Sequence, residues 1–139
     1  MRFMVIVKAS KQSEAGTLPS KQLIDAMGVF NEELIKAGVM LQGEGLHPSA
    51  KGARIRWSGG KRTIVDGPFS EAKELVAGYW LIQAKSREEA IEWMKRAPMG
   101  DDAELEIRQV FETSEFPDDI VSPEIRAQEE KFRDVQRKK

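Results

Sequence analysis

The chain has no cysteine and one histidine. Without cysteine there is no disulfide framework, no thiol nucleophile and no thiolate metal site. With so few imidazoles, only carboxylates remain as metal ligands, and their spacing matches no calcium loop. No metal or other cofactor is therefore expected. Charge of one sign is not in excess either. The formal net charge is -1, which gives no field to hold nucleic-acid phosphates or an anionic membrane. No apolar run approaches the roughly 18 residues that a membrane-spanning helix needs. The first residues enter a strand at Arg2-Phe3-Met4-Val5-Ile6-Val7 with no signal-peptide pattern, so a bacterial-type cytoplasmic protein is expected. Glycine patterns of the nucleotide-binding kind are missing. Gly43-Glu44-Gly45 is too short for a dinucleotide fingerprint, and Gly59-Gly60 reads as a hairpin turn. Ser70 lacks the glycine context of a nucleophile elbow.

What is present is a regular alternation of strand and helix signals. Phe3 to Val7 is a continuous apolar run ended by Lys8, as in a central strand covered on both faces. Residues 9–18 read as a polar loop. Leu23, Met27, Phe30 and Leu34 then recur at helical spacing, with Pro19 in the first turn and Gly38 as a left-handed stop. Gly28 costs that helix about 1 kcal/mol relative to Ala, and a close approach by a neighbouring element is expected to compensate. Val39 to Leu41 opens a second strand. Ala53, Ile55 and Trp57 alternate with Arg54 and Arg56, the pattern of a half-buried strand. Ser58-Gly59-Gly60-Lys61 turns it back onto Thr63-Ile64-Val65. A strand over 77–84 follows, then a helix opened by a Ser86/Glu89 capping box and faced by Ala90, Ile91 and Met94. The last core strand runs from Leu105 through Ile107 to Val110-Phe111.

This order predicts an α+β fold, a ferredoxin-like βαββαβ unit with an inserted β-hairpin. Two helices cover one face of such a sheet. The other face is also apolar, because Met4 and Ile6 alternate with Phe3, Val5 and Val7. A second copy stacking on it is the simplest cover, so a homodimer is expected. Residues 1–111 form the domain, and 112–139 are an extension. In that extension Ser122 and Pro123 open a helical arm with the sparse stripe Ile125, Phe132 and Val135.

Chemistry is expected on Val65-Asp66-Gly67-Pro68-Phe69-Ser70-Glu71-Ala72-Lys73-Glu74, a loop dense in polar groups between two strands. Asp66 is either a general base or orienting carboxylate, or an Asx-type turn residue that accepts loop amides. Phe69 is either a core anchor or a stacking surface. Lys73 can hold an anionic group and Glu74 can move a proton; otherwise both are surface charges. Glu44, between two glycines at a strand end, sits where a ligand or another backbone can approach closely. His47 alone titrates near neutrality unperturbed, and is either catalytic or a solvated loop residue. Glu106 and Arg108 share a strand face, lining a cavity or pairing on the surface. Asp66, His47 and Glu74 are thus the candidate catalytic groups. Glu44, Lys73, Phe69 and Arg108 are the candidate substrate contacts.

The Asp66-Gly67-Pro68-Phe69 motif, with Gly43-Glu44-Gly45-Leu46, Gly78-Tyr79-Trp80 and Glu106-Ile107-Arg108 in order around it, resembles the YCII-related family in its Asp-Gly-Pro-Phe branch. The resemblance implies a dimeric α+β barrel in which the sheets of two protomers stack. That fold hosts isomerases, dehalogenases and monooxygenases, so it does not name a reaction. In shorter members a His on the first helix, with an Asp, is the proposed catalytic pair. Here the first helix has no His, and that pair is not carried over. Two functions follow as expectations. One is a small-molecule enzyme or binding protein with a polar cleft between sheet and helices, taking a small anionic ligand. The other is a non-catalytic regulatory module linked to an extracytoplasmic-function sigma factor. Neither involves direct nucleic-acid or membrane contact.

Overall fold

In the computed structural model, which describes residues 1–70 and 74–137, the chain divides into two units, Met1–Gln109 and Val110–Lys139. The first contains β1 (Arg2–Lys8), α1 (Lys11–Glu14), α2 (Lys21–Lys36), β2 (Met40–Gly45), β3 (Ala53–Ser58), β4 (Lys61–Asp66), β5 (Val76–Gln83), α3 (Arg87–Met94) and β6 (Leu105–Gln109). Four strands form one antiparallel sheet in the order β2-β5-β1-β6. With the β3–β4 hairpin set aside, this is the ferredoxin-like order, first strand inside and second at the edge.

Strand alternation decides what each sheet face carries. Phe3, Val5, Trp80 and Ile82 are buried with Phe30 and Leu34 of α2 and Ala90 and Met94 of α3 in one cluster. Both helices therefore cover the same face. The Trp80 indole meets Phe30 edge-on, with centroids 5.9 Å apart, and donates to Asn31 Oδ1 at 2.8 Å. Across the register, Met4 lies opposite Leu81 and Ile6 opposite Tyr79. All four are half-buried on the face the helices leave open.

Helix boundaries follow local chemistry. Ser20 caps α2 by accepting the Leu23 amide, so Pro19 lies just ahead of the cap instead of in the first turn. Gly38, at φ 71°, ends the helix in the left-handed region as expected. Gly28 differs from expectation. A Cβ there would meet nothing within 4 Å, so no close approach offsets its cost. The stretch 9–18 also holds more order than a loop. Ser10 and Ser13 exchange backbone-to-side-chain bonds that start α1. At α3, Ser86 accepts the Glu89 amide, but the Glu89 carboxylate takes the Lys85 amide one residue before the cap. The last strand stops at Gln109, earlier than expected.

The hairpin is the largest departure. Gly59 and Gly60, both at positive φ, close a two-residue turn between Ser58 and Lys61. Both strands are exposed over nearly their whole length instead of half-buried. Ile55, Trp57 and Ile64 are 53%, 69% and 69% exposed. The apolar alternation is present, but among the described residues no element of this unit covers it.

In the second unit, α4 (Pro123–Arg137) starts behind Ser122, whose hydroxyl accepts the Ile125 amide. The sparse apolar stripe is not what ties this helix to its linker. Arg126 donates to the carbonyls of Thr113 and Phe116, each at 2.6 Å, and Arg133 to Glu112 at 2.7 Å. Phe111 packs on Phe116, with ring centroids 5.1 Å apart.

Candidate functional site

Two loops of the first unit meet at Ser49. One leaves β2 through Leu46-His47-Pro48 and makes a single 3-10 turn at Ser49–Lys51. The other leaves β4 as Asp66-Gly67-Pro68-Phe69, with a cis Gly67–Pro68 peptide. The Ser49 hydroxyl accepts the Phe69 amide at 3.0 Å and donates to Glu14 Oε1 at 2.5 Å. The Ser49 amide donates to Glu14 Oε2 at 3.0 Å. The Gly67 amide goes to the Gly52 carbonyl at 3.0 Å. A Cβ on Gly67 would lie 1.7 Å from the Ser49 carbonyl oxygen. Glycine is thus required in the motif for close backbone approach. Because Ser49 donates to both its oxygens, the side-chain bond first, Glu14 is held below its ordinary pKa of 4.5.

Beneath these loops lies a depression of about 470 Å³, within the range of small-ligand sites. Its walls include Leu46, Pro48, Leu75 and Val76, with His47, Glu74, Glu14, Lys51 and Arg54 as titratable or charged groups. Phe69 is half-buried at its edge, and the Arg54 guanidinium carbon lies 3.8 Å from the ring centroid.

The site residues expected from sequence divide into four groups. His47, Phe69 and Glu74 are brought together in this depression. Asp66 is exposed at the foot of the hairpin opposite Ala53, outside the lining. Among the described residues, the amides of Gly67 and Phe69 are taken by Gly52 and Ser49, not by Asp66. Lys73, with Glu71, lies outside the described residues. Glu44 and Arg108 belong elsewhere: Glu44 stands opposite Tyr79 and Arg108 opposite Met4, on the open sheet face. Glu106 shares that face and pairs with Lys8 at 3.2 Å. Close strand approach at Glu44 rests on Gly78 of β5 and not on the flanking glycines, since a Cβ on Gly45 would meet nothing within 4 Å and one on Gly43 would meet the side chains of Met40 and Trp80. A Cβ on Gly78 would come within 2.8 Å of the Glu44 carbonyl oxygen. The cleft expected between sheet and helices is therefore corrected: the core cluster fills that space, and the depression lies beside β2 and β5 under the two loops.

Sequence reading missed Glu14, Ser49, Lys51 and Arg54. Arg54 had a visible signal, being a cation on the hairpin strand next to the motif. Ser49 and Glu14 had none, because their pairing spans 35 residues. Among the described residues, no group of three or more His, Asp or Glu side chains is arranged to share a metal ion. No helix among them is long and apolar enough to cross a membrane.

A family profile for the YCII-related domain matches residues 1–114. The chain belongs to the YCII-related family. The match covers the whole sheet, the hairpin and both loops of the depression. Among curated proteins, an uncharacterised protein of Rhizobium meliloti (strain 1021) is 30% identical over 69 residues, 50% of this chain and 56% of that protein. The aligned stretch thus spans little more than half of that relative. Among solved structures, a 5-chloro-2-hydroxyhydroquinone dehydrochlorinase from Burkholderia phenoliruptrix, in complex with 2,5-dihydroxybenzoquinone, overlaps 82% of this chain and 98% of its own. Its TM-score is 0.40 at 16% identity.

Proposed function

We propose that this YCII-related protein is a small-molecule binding protein or enzyme whose site is the depression under the Asp66–Phe69 loop. The observation that carries this reading is the convergence of His47, Glu74, Lys51 and Arg54 on one concavity whose loops are pinned by Ser49. Preorganised polar groups over apolar walls are the usual composition of a ligand site. In this reading His47 and Glu74 are the proton carriers, and Phe69 is a wall. A second copy covers the open sheet face at Met4, Ile6, Tyr79 and Leu81, giving a homodimer.

The test is amide NMR of the full chain against a diverse fragment library. Fragments that bind should shift the amides of His47, Ser49 and Glu74 together, and His47→Asn or Glu74→Gln should weaken that binding without lowering the melting temperature. No response at these amides to any fragment would refute the reading.

The exposed hairpin patch of Ile55, Trp57 and Ile64 supports a second reading, a regulatory module that binds a protein partner such as a sigma factor. Under it, Trp57→Ser abolishes capture of a purified sigma factor, while His47→Asn leaves capture unchanged.

A further inference from the structure

We propose that the depression takes a small monocarboxylate with a short apolar body, and that Arg54 is the residue that selects its charge. This deepens the binding-site reading above and rests on it.

Four observations combine. Arg54 lies over the Phe69 ring at 3.8 Å, a contact that holds a guanidinium through its face and leaves its N–H edge free to bind. The main chain that carries the ring is itself held, because the Phe69 amide donates to Ser49 at 3.0 Å, and the ring is half-buried. The cation is therefore oriented before any ligand arrives, which lowers the ordering cost of binding. Among the described residues Arg54 makes no ion pair, whereas Arg96, Arg126 and Arg133 each have a carboxylate partner. An oriented, unneutralised guanidinium fork fits a planar carboxylate, which it can bind through two parallel N–H bonds.

Charge at the rim decides between a monoanion and a dianion. Among the described residues, Lys51 and Arg54 are the lining cations, and Glu14 and Glu74 are the lining carboxylates. Glu14 is held ionised by its two bonds from Ser49. With carboxylates already in the lining, a phosphate dianion is repelled more strongly than a monocarboxylate, whose charge can pair with Arg54 while its body rests on the apolar lining of Leu46, Leu75 and Val76.

The test titrates the full chain with benzoate and with its neutral isostere benzamide, reading the amides of His47, Ser49, Gly52 and Phe69 by NMR. Benzoate is expected to shift these amides and to bind at least ~10-fold more tightly than benzamide, the usual advantage of a charge-assisted pair. Arg54→Gln should raise the benzoate Kd by about 10-fold or more and leave benzamide unchanged, while Arg54→Lys recovers part of the loss. Arg54 is exposed on the hairpin, so the amide dispersion of both variants should match wild type. Equal binding of benzoate and benzamide, benzoate binding unaffected by Arg54→Gln, or tighter binding of inorganic phosphate than of benzoate overturns the inference. In each of those cases the pocket itself is occupied, so the binding-site reading survives. If neither probe moves the amides, the inference falls, and the fragment library decides the pocket reading separately.

Discussion

Replacing Ser49 by Ala removes the one hydroxyl that joins α1 to the motif loop. The variant leaves the Phe69 amide without its acceptor at 3.0 Å and removes one of two donors from Glu14. A buried donor left unpaired costs about 1 to 3 kcal/mol. Both partners here are only half-buried, so water recovers part of that, and about 1 to 2 kcal/mol is the expected loss. For a chain of this size that lowers the melting temperature by roughly 3 to 8 °C. A pH series adds an independent check. The folded pKa of Glu14 lies below its ordinary 4.5, so its contribution is fully present above about that pH. It disappears as pH falls through the depressed folded value. Glu14→Gln should therefore be less stable than wild type at neutral pH, with the gap closing on acidification below 4.5. Urea melts of wild type, Ser49→Ala, Glu14→Gln and the double variant measure both effects and their coupling. A Ser49→Ala melt indistinguishable from wild type, or a Glu14→Gln gap that does not change with pH, would refute the idea that this connection holds the loop.

Two further outcomes follow. Gly28→Ala should stabilise the protein by up to about 1 kcal/mol, because its added methyl meets open space on a helix face; a lowered urea midpoint would contradict this. Leu81→Asp, on the open sheet face, should yield a folded monomer, whereas Val5→Asp, fully buried beneath the helices, should fail to fold. Sedimentation equilibrium and far-ultraviolet circular dichroism distinguish the two, and a wild-type chain that runs only as a 15.7 kDa species would exclude the dimer.

Sequence alone determined β1 to β6, α2, α3 and α4 and their order, because each rests on local chemistry; α1, inside the expected loop 9–18, came only with the structure. The α2 stripe at Phe30 and Leu34, the Gly38 stop, the Ser86 cap and the Gly59-Gly60 turn are all decided within a few residues. The alternation in β1 also foretold a sheet with apolar side chains on both faces. Burial of the hairpin was not legible. Alternation marks a strand able to bury one face, and only the fold determines whether anything covers Ile55 and Trp57. The site divided for the same reason. His47, Phe69 and Glu74 came together because the two loops flank the same β2–β5 edge. Glu44 and Arg108 went to the open sheet face because strand register, set by pairing with Tyr79 and Met4, points them there. The Glu14–Ser49–Phe69 connection could come only from tertiary structure, since hydrogen bonds between distant, irregular segments leave no periodicity in the chain.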